Sequence, residues 1–241
     1  MHPNDASADP LDFSGEFFIP GKSGESLEKE HRERYLFAGK FVKNKSVLDI
    51  ACGVGYAAPI LVASGAQSYE GVDIRKSNIE HAERLYRSDI ARFSLGDICT
   101  FNTGKTYDVI VCYETIEHVP NYRSALKNLH RHAGGNGILI ISSPNRILSS
   151  PEARSVHDKP DNEFHSQEFT LEELIAELRI AGFEVKRENI FGQMQRRMYH
   201  NKFIREAARI FLGRPERNAS PEVTPVRKKA PGFFVLVASK V

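Results

Sequence analysis

From residue 46 onward the chain alternates short apolar runs with helix-patterned segments, and this restricts the folds open to it. The runs "SVLDIA" (46–51), "YEGVDI" (69–74), "ARFSLGD" (91–97), "YDVIVCYE" (107–114) and "GILIISSP" (137–144) are rich in Ile and Val and bounded by Gly, Asp or Pro. Such runs read as strands. Between them, Ser77 with Glu80 has the spacing of a capping box ahead of Ile79, Ala82 and Leu85. Asn121 opens a helix that carries Ala125, Leu126 and Leu129 and closes at Gly134 and Gly135. Thr170 with Glu173 caps a third helix, with Leu171, Leu174, Ile175 and Leu178 on one face and Gly182 at its end. Near-continuous apolar strands separated by helices predict a mostly parallel sheet covered on both faces. Two later strands, "FEVKRENIF" (183–191) and "GFFVLVASKV" (232–241), flank a long insertion.

The 241 residues suffice for one sizeable α/β domain, and 41% apolar with 27% charged residues is ordinary for a soluble protein. Residues 1–25 are predicted to be a loose N-terminal segment and 26–241 the domain. No apolar run approaches the roughly 20 residues that span a bilayer, and the polar, acidic first thirty residues predict no signal peptide. Cys52, Cys99 and Cys112 lie in or beside predicted strands and read as free thiols in a reducing compartment, with cytoplasm the default. Charge is uneven: residues 192–231 hold ten Lys or Arg against three acids, although the whole chain carries only +2. That stretch, with the helix-like "HNKFIREAARIFL" (200–212), is either a solvated charged helix or a basic lid holding an anionic part of a substrate.

The ligand is read from "VLDIACGVGY" (47–56). Gly53 and Gly55 permit a tight turn and close ligand approach behind a strand, where open parallel sheets bind their ligands. Asp73, twenty residues past Gly53, ends the second strand where an acid accepts from ribose hydroxyls. Those features also fit NAD. Asp49 does not, because a carboxylate there repels a pyrophosphate, whereas S-adenosylmethionine carries a sulfonium and an ammonium and no phosphate. Asp97, ending the third strand, is positioned to accept from an adenine amino group.

Acids ending strands one to three, with a D-x-x-C-G-x-G turn, resemble class I S-adenosylmethionine-dependent methyltransferases over roughly residues 30–191. The resemblance implies a Rossmann-like seven-stranded sheet, mostly parallel with an antiparallel last strand. It also implies cofactor contacts at Asp49, Ala51, Cys52, Gly53, Gly55, Tyr56, Asp73, Ile74, Asp97, Ile98, Tyr113 and Glu114. The leading segment "EHRERYLFAGKFV" is similar to the branch that includes quinone-biosynthesis and glycan-modifying enzymes. There an Arg-Tyr pair, here Arg34 and Tyr35, lies over the methionine portion; a plain surface helix is the other reading.

Strands four and five run into "YETIEHVP" and into "SSPN" with a polar loop, and both overhang one pocket. Glu114, Glu117 and His118 have i, i+3, i+4 spacing, and His165 can reach them from the next loop. Together these four suit a divalent ion such as Mg²⁺ or Mn²⁺, similar to enzymes that methylate the 3′-terminal ribose of small RNAs. Without metal, His118 or His165 serves as base for a hydroxyl. The expected function is O-methylation of a sugar, nucleotide sugar or glycan-type small molecule. Alternatives are RNA 3′-end methylation, a dinucleotide-dependent oxidoreductase and a non-catalytic cofactor module. Nucleic acid is disfavoured, because the basic insertion lacks interleaved aromatic residues.

Overall fold

The computed structural model of the chain describes residues 19–22, 24–194, 220–226 and 230–241. Most of the segment expected to be loose lies outside them. So does the greater part of the expected lid, with Arg196, Arg197, Arg205 and the 200–212 helix.

Eight strands form one sheet: β1 Ser46–Ile50, β2 Ser68–Asp73, β3 Ala91–Leu95, β4 Tyr107–Cys112, β5 Ala133–Pro144, β6 Phe183–Gln193, β7 Thr224–Pro225 and β8 Phe233–Lys240. Their order is β3-β2-β1-β4-β5-β8-β6-β7. The first five run parallel, and β8 pairs antiparallel with both β5 and β6. The expected seven-stranded sheet with its antiparallel last strand is therefore present, extended at one edge by the two-residue β7. Alternating side chains serve two cores. Leu48, Ile50 and Ile110 pack with Leu126 and Leu129 of α4 (Tyr122–His132) and Leu174 and Leu178 of α6 (Leu171–Ile180). Val47, Val109 and Val111 pack on the other face with Phe37 and Ala38 of α1 (Glu25–Ala38), Leu61 of α2 (Ala58–Ala63) and Ile79 and Ala82 of α3 (Lys76–Tyr86). A short α5 spans Arg146–Ser149. Among the described residues no helix is long and apolar enough to cross a membrane.

Local signals were met unevenly. The Thr170–Glu173 capping box forms in full. Ser77 makes no cap: α3 starts at Lys76, and Asp73 accepts from Arg75 N and Asn78 Nδ2 instead. A strand-end carboxylate thus anchors the start of α3 through the N–H of the residue before it and the Asn78 side chain. Gly134 and Gly135 do not close α4 but lie in β5, which starts four residues earlier than its apolar run.

β1 pairs with β2 on one side and β4 on the other, so chain direction diverges there and a crevice opens at the strands' carboxyl ends. Gly55 (φ +81°) brings the next turn against α3, where a Cβ would sit 2.6 Å from that of Ala82. Beneath this turn Asp49 is wholly buried, accepting from Tyr35 Oη (3.1 Å) and Tyr69 Oη (2.7 Å). Burial, aided by the Asp73 charge, pushes its carboxyl up to about 7 against the restraint of both hydroxyls. The folded protein thus holds a proton that the unfolded chain releases near pH 4. Stability from that proton is complete below pH 4 and is lost as pH rises towards 7. Asp49→Asn escapes this loss. Its stability should gain on the parent by on the order of 2 kcal/mol between pH 5 and pH 8, and denaturant melts at the two pH values measure the gain. A constant difference would mean that the Asp49 carboxyl does not titrate in this range.

Candidate active site

The turn after β1 is built from unusual backbone. Ala51 (φ +58°) and Gly53 (φ +57°) are left-handed, and Gly53 N donates to Asp73 Oδ2 at 2.9 Å. A Cβ added at Gly53 would meet nothing within 4 Å, so the turn faces open space. Of the four lone-pair sites of Asp73, Arg75 N, Asn78 Nδ2 and Gly53 N occupy three. Ile74, next in sequence, is 65% exposed, while Ile98 is buried in the core. Asp97 is exposed and accepts from Cys99 N at 2.7 Å. Cys52 is buried, its thiol held well above its usual range by burial and by the charges of Asp49 and Asp73.

α1 covers the same turn. His31 Nδ1 lies 2.9 Å from Tyr56 Oη, and Tyr113 Oη donates to Arg34 O at 3.0 Å. Tyr35 packs edge-on to Tyr56 and Tyr113, with ring centres 5.4 and 5.2 Å away. Arg34 is 1% exposed, yet its Nε and both Nη atoms make no hydrogen bond. Its guanidinium lies 5.0 Å from the Phe233 ring centre and 3.4 Å from Glu114 Oε1. That oxygen already accepts from Ser142 Oγ at 2.6 Å. Glu114 is itself strained (φ +46°), as residues at ligand sites often are. A buried guanidinium with unmet donors suits a ligand carboxylate. With the cradle at Gly53, the apolar ledge at Ile74 and the acids beyond it, these residues fit S-adenosylmethionine. Asp49, by contrast, presents no oxygen to that space; it braces the turn from below.

The second half of the site is held by hydrogen bonds between two segments. The 3-10 turn Ile116–His118 follows β4, and residues 164–168 lie along it. Ser166 N donates to Glu117 O (2.8 Å), and buried Gln167 sends Nε2 to Ile116 O (2.6 Å) and Val119 O (3.0 Å). His118 and His165 end edge-to-face with ring centres 4.8 Å apart. The two imidazoles are not equivalent. His118 Nδ1 faces Phe164 O at 2.9 Å, which makes Nδ1 the donor and leaves the lone pair on Nε2. His165 is engaged at both nitrogens: Nδ1 faces Glu168 Oε1 at 2.6 Å, and Nε2 faces Asn162 Nδ2 at 2.9 Å. Glu168 is 1% exposed and also accepts from Ser149 Oγ. Burial opposes its charge, but hydrogen bonds from His165, Ser149 and Ser150 prevail and hold its carboxyl below the usual range.

Glu117, His118 and His165 bring potential ligand atoms within 4.8 Å of one another. Glu114 is not in this group, since its side chain turns to Arg34 and Ser142. Glu117 is buried with Oε2 unpartnered, and burial followed by the Glu114 charge raises its carboxyl well above the usual range. His157 is exposed and stands outside the cluster. Sequence reasoning missed His31, Ser142, Asn162, Gln167, Glu168 and Phe233. Of these, only Glu168 left a readable trace, in its three-residue spacing from His165.

A family profile for a methyltransferase domain matches residues 25–188. A protein of Mycolicibacterium smegmatis, named as a probable S-adenosylmethionine-dependent methyltransferase, is 31% identical over 186 residues, covering 76% of this chain and 70% of that one. A ubiquinone biosynthesis O-methyltransferase of Rickettsia canadensis is 35% identical over 108 residues, 44% of this chain and 45% of its own. Among solved structures, an S-adenosylmethionine-dependent methyltransferase from Mesorhizobium loti superposes with a TM-score of 0.60 at 13% identity, covering 88% of this chain and all of that one. Magnesium protoporphyrin IX methyltransferase from Synechocystis, with bound S-adenosylhomocysteine, gives a TM-score of 0.57 at 17% identity, covering 89% and 83%. The cofactor turn, the sheet order and these relatives agree: the chain belongs to the class I S-adenosylmethionine-dependent methyltransferases.

Proposed function

We propose that this enzyme methylates a hydroxyl oxygen of a sugar, nucleotide sugar or other glycan-type small molecule, with His118 as the base. The observation that carries this reading is the hydrogen bond from His118 Nδ1 to Phe164 O, which directs the basic lone pair to Nε2. Hydroxyl oxygens need proton removal at transfer more than amine acceptors do, and a neutral imidazole serves near neutral pH. The partial similarity to ubiquinone O-methyltransferases supports oxygen as the acceptor atom. Basic residues between 196 and 229 in the sequence support an anionic group on the acceptor.

Bound S-adenosylmethionine supplies an electrophilic methyl group on its sulfonium. In this reading Arg34 holds the methionine carboxylate, Asp73 Oδ2 accepts from a ribose hydroxyl and Asp97 accepts from the adenine amino group. Tyr35, Tyr56 and Tyr113 wall the methionine portion from water. His118 takes the acceptor proton at Nε2, while Glu168, Asn162 and Gln167 fix His165 and the turn beside it. Orienting the acceptor oxygen accounts for much of the rate in such transfers.

A second reading keeps the same residues and adds a divalent ion. Its support is the Glu117, His118 and His165 group, together with the unpartnered Oε2 of Glu117. Both imidazoles already direct Nδ1 to a backbone or carboxylate oxygen, as metal-bound histidines do. For His165 to bind an ion through Nε2, Asn162 must turn away.

Calorimetry should find S-adenosylmethionine and S-adenosylhomocysteine binding and NAD not binding. Asp73→Ala should weaken the former by about 1.5–3 kcal/mol. Tight NAD binding without S-adenosylhomocysteine binding would overturn the cofactor reading.

Transfer of label to a panel of nucleotide sugars, glycolipids, quinone precursors and RNA ends tests the acceptor. On the acceptor so found, His118→Ala should lower kcat by about 10²–10⁴ with cofactor affinity unchanged. Full turnover in that variant would remove the base.

Dialysis against a chelator separates the two readings. Unchanged turnover leaves the imidazole acting alone, and loss restored by Mn²⁺ or Mg²⁺ establishes the metal.

A further inference from the structure

α1 is a poorly supported helix in its first half. Its N-cap, Gly24, offers no side-chain cap, and its buried residues are Arg34, Tyr35, Phe37 and Ala38, all in the last two turns. Nothing in its first nine residues is buried. A helix of this length does not hold itself together in water without packing. The first half is attached through polar contacts: Gln193 Nε2 to Glu30 O at 2.7 Å, and His31 Nδ1 to Tyr56 Oη at 2.9 Å.

Arg34 works against the closed position. All three guanidinium nitrogens are buried without a hydrogen bond, and the ion pair from Nη1 is to a Glu114 oxygen that Ser142 Oγ also uses. Removing a guanidinium from water without giving its donors acceptors is unfavourable, and a 3.4 Å contact returns little of that loss. Among the described residues a second buried arginine shows what a completed shell looks like. Arg146 bonds both Glu173 oxygens, at 2.7 and 2.8 Å, and Glu168 O at 3.0 Å. Lifting α1 as far as Arg34 returns that guanidinium to water, at the cost of the Tyr113 hydrogen bond to Arg34 O, and stops short of Phe37 and Ala38 in the core.

We infer that α1 is a clamp coupled to the cofactor: its segment up to and including Arg34 seats firmly on the glycine turn only when a carboxylate-bearing ligand completes the shell of Arg34. The inference rests on Arg34 receiving the methionine carboxylate. It adds that the apo enzyme opens at α1, and that adenosine contacts alone do not close it.

Hydrogen–deuterium exchange of the whole chain, read over Glu28–Tyr35, tests this. S-adenosylhomocysteine should slow exchange there at least tenfold. 5′-Methylthioadenosine, which keeps the adenosine and thioether but has no carboxylate, should not do so at concentrations that saturate the protein by calorimetry. Arg34→Met removes the unmet donors, so α1 should be protected without ligand and should no longer respond to S-adenosylhomocysteine. If that variant does not fold, the comparison of the two ligands on the parent protein decides alone. Equal protection in the free and S-adenosylhomocysteine-bound parent overturns the clamp, and so does equal protection by the two ligands. Absence of any S-adenosylhomocysteine binding instead overturns the cofactor reading beneath it.

Discussion

One buried carboxyl organises the carboxyl edge of the sheet. Asp49 lies one residue before the end of β1, between β2 and β4, and receives one hydroxyl from α1 and one from β2. Those bonds aim Tyr35 and Tyr69, and Tyr35 in turn packs against Tyr56 and Tyr113. The remaining hydroxyls of that aromatic group reach His31 and the carbonyl of Arg34. α1, the glycine turn and the end of β4 are therefore aligned through one acceptor. Taking an acid out of water is unfavourable, and here two hydroxyls and a retained proton offset it.

The site divides into two halves with different support. On the cofactor side, backbone strain at Ala51 and Glu114 and open space at Gly53 leave groups waiting for partners. Around the Ile116–His118 turn the polar groups are largely paired within the protein. Arg146 ties the start of α6 to the segment carrying Glu168, and Glu173 serves both that ion pair and the capping box of α6.

Most of the fold was legible because periodicity reports burial directly. β1 to β5 follow their apolar runs, and Leu174 and Leu178 face the core as their spacing required. Failures came where one residue substitutes for another across space. Ser77 had the spacing of a cap, but Asp73 reaches the same helix end from the strand. Glu114, Glu117 and His118 had the spacing of one helical face. The positive φ of Glu114 instead turns it towards Arg34, and a 3-10 turn carries the other two. The approach of His165 to His118 followed from strands four and five being neighbours. Its means, the amide of Gln167 on two carbonyls of the turn, had no pattern to reveal it.

The two histidines show how far residue type falls short of role. Both have the ordinary chemistry of a base or ligand, and their ring centres lie 4.8 Å apart. Position alone would treat them as interchangeable. Their partners do not. A carbonyl accepts only, so Phe164 O makes His118 a donor at Nδ1 and a lone-pair carrier at Nε2. Asn162 Oδ1 accepts from Phe164 N, which orients its amide nitrogen to donate to His165 Nε2. The Glu168 carboxylate takes the proton on the other side. His165 is thereby committed to the scaffold unless Asn162 moves, whereas the His118 tautomer carries its lone pair on Nε2. In both proposed readings the same atom, His118 Nε2, is engaged, as base in one and as ligand in the other, and they differ in whether the second imidazole must leave its partner.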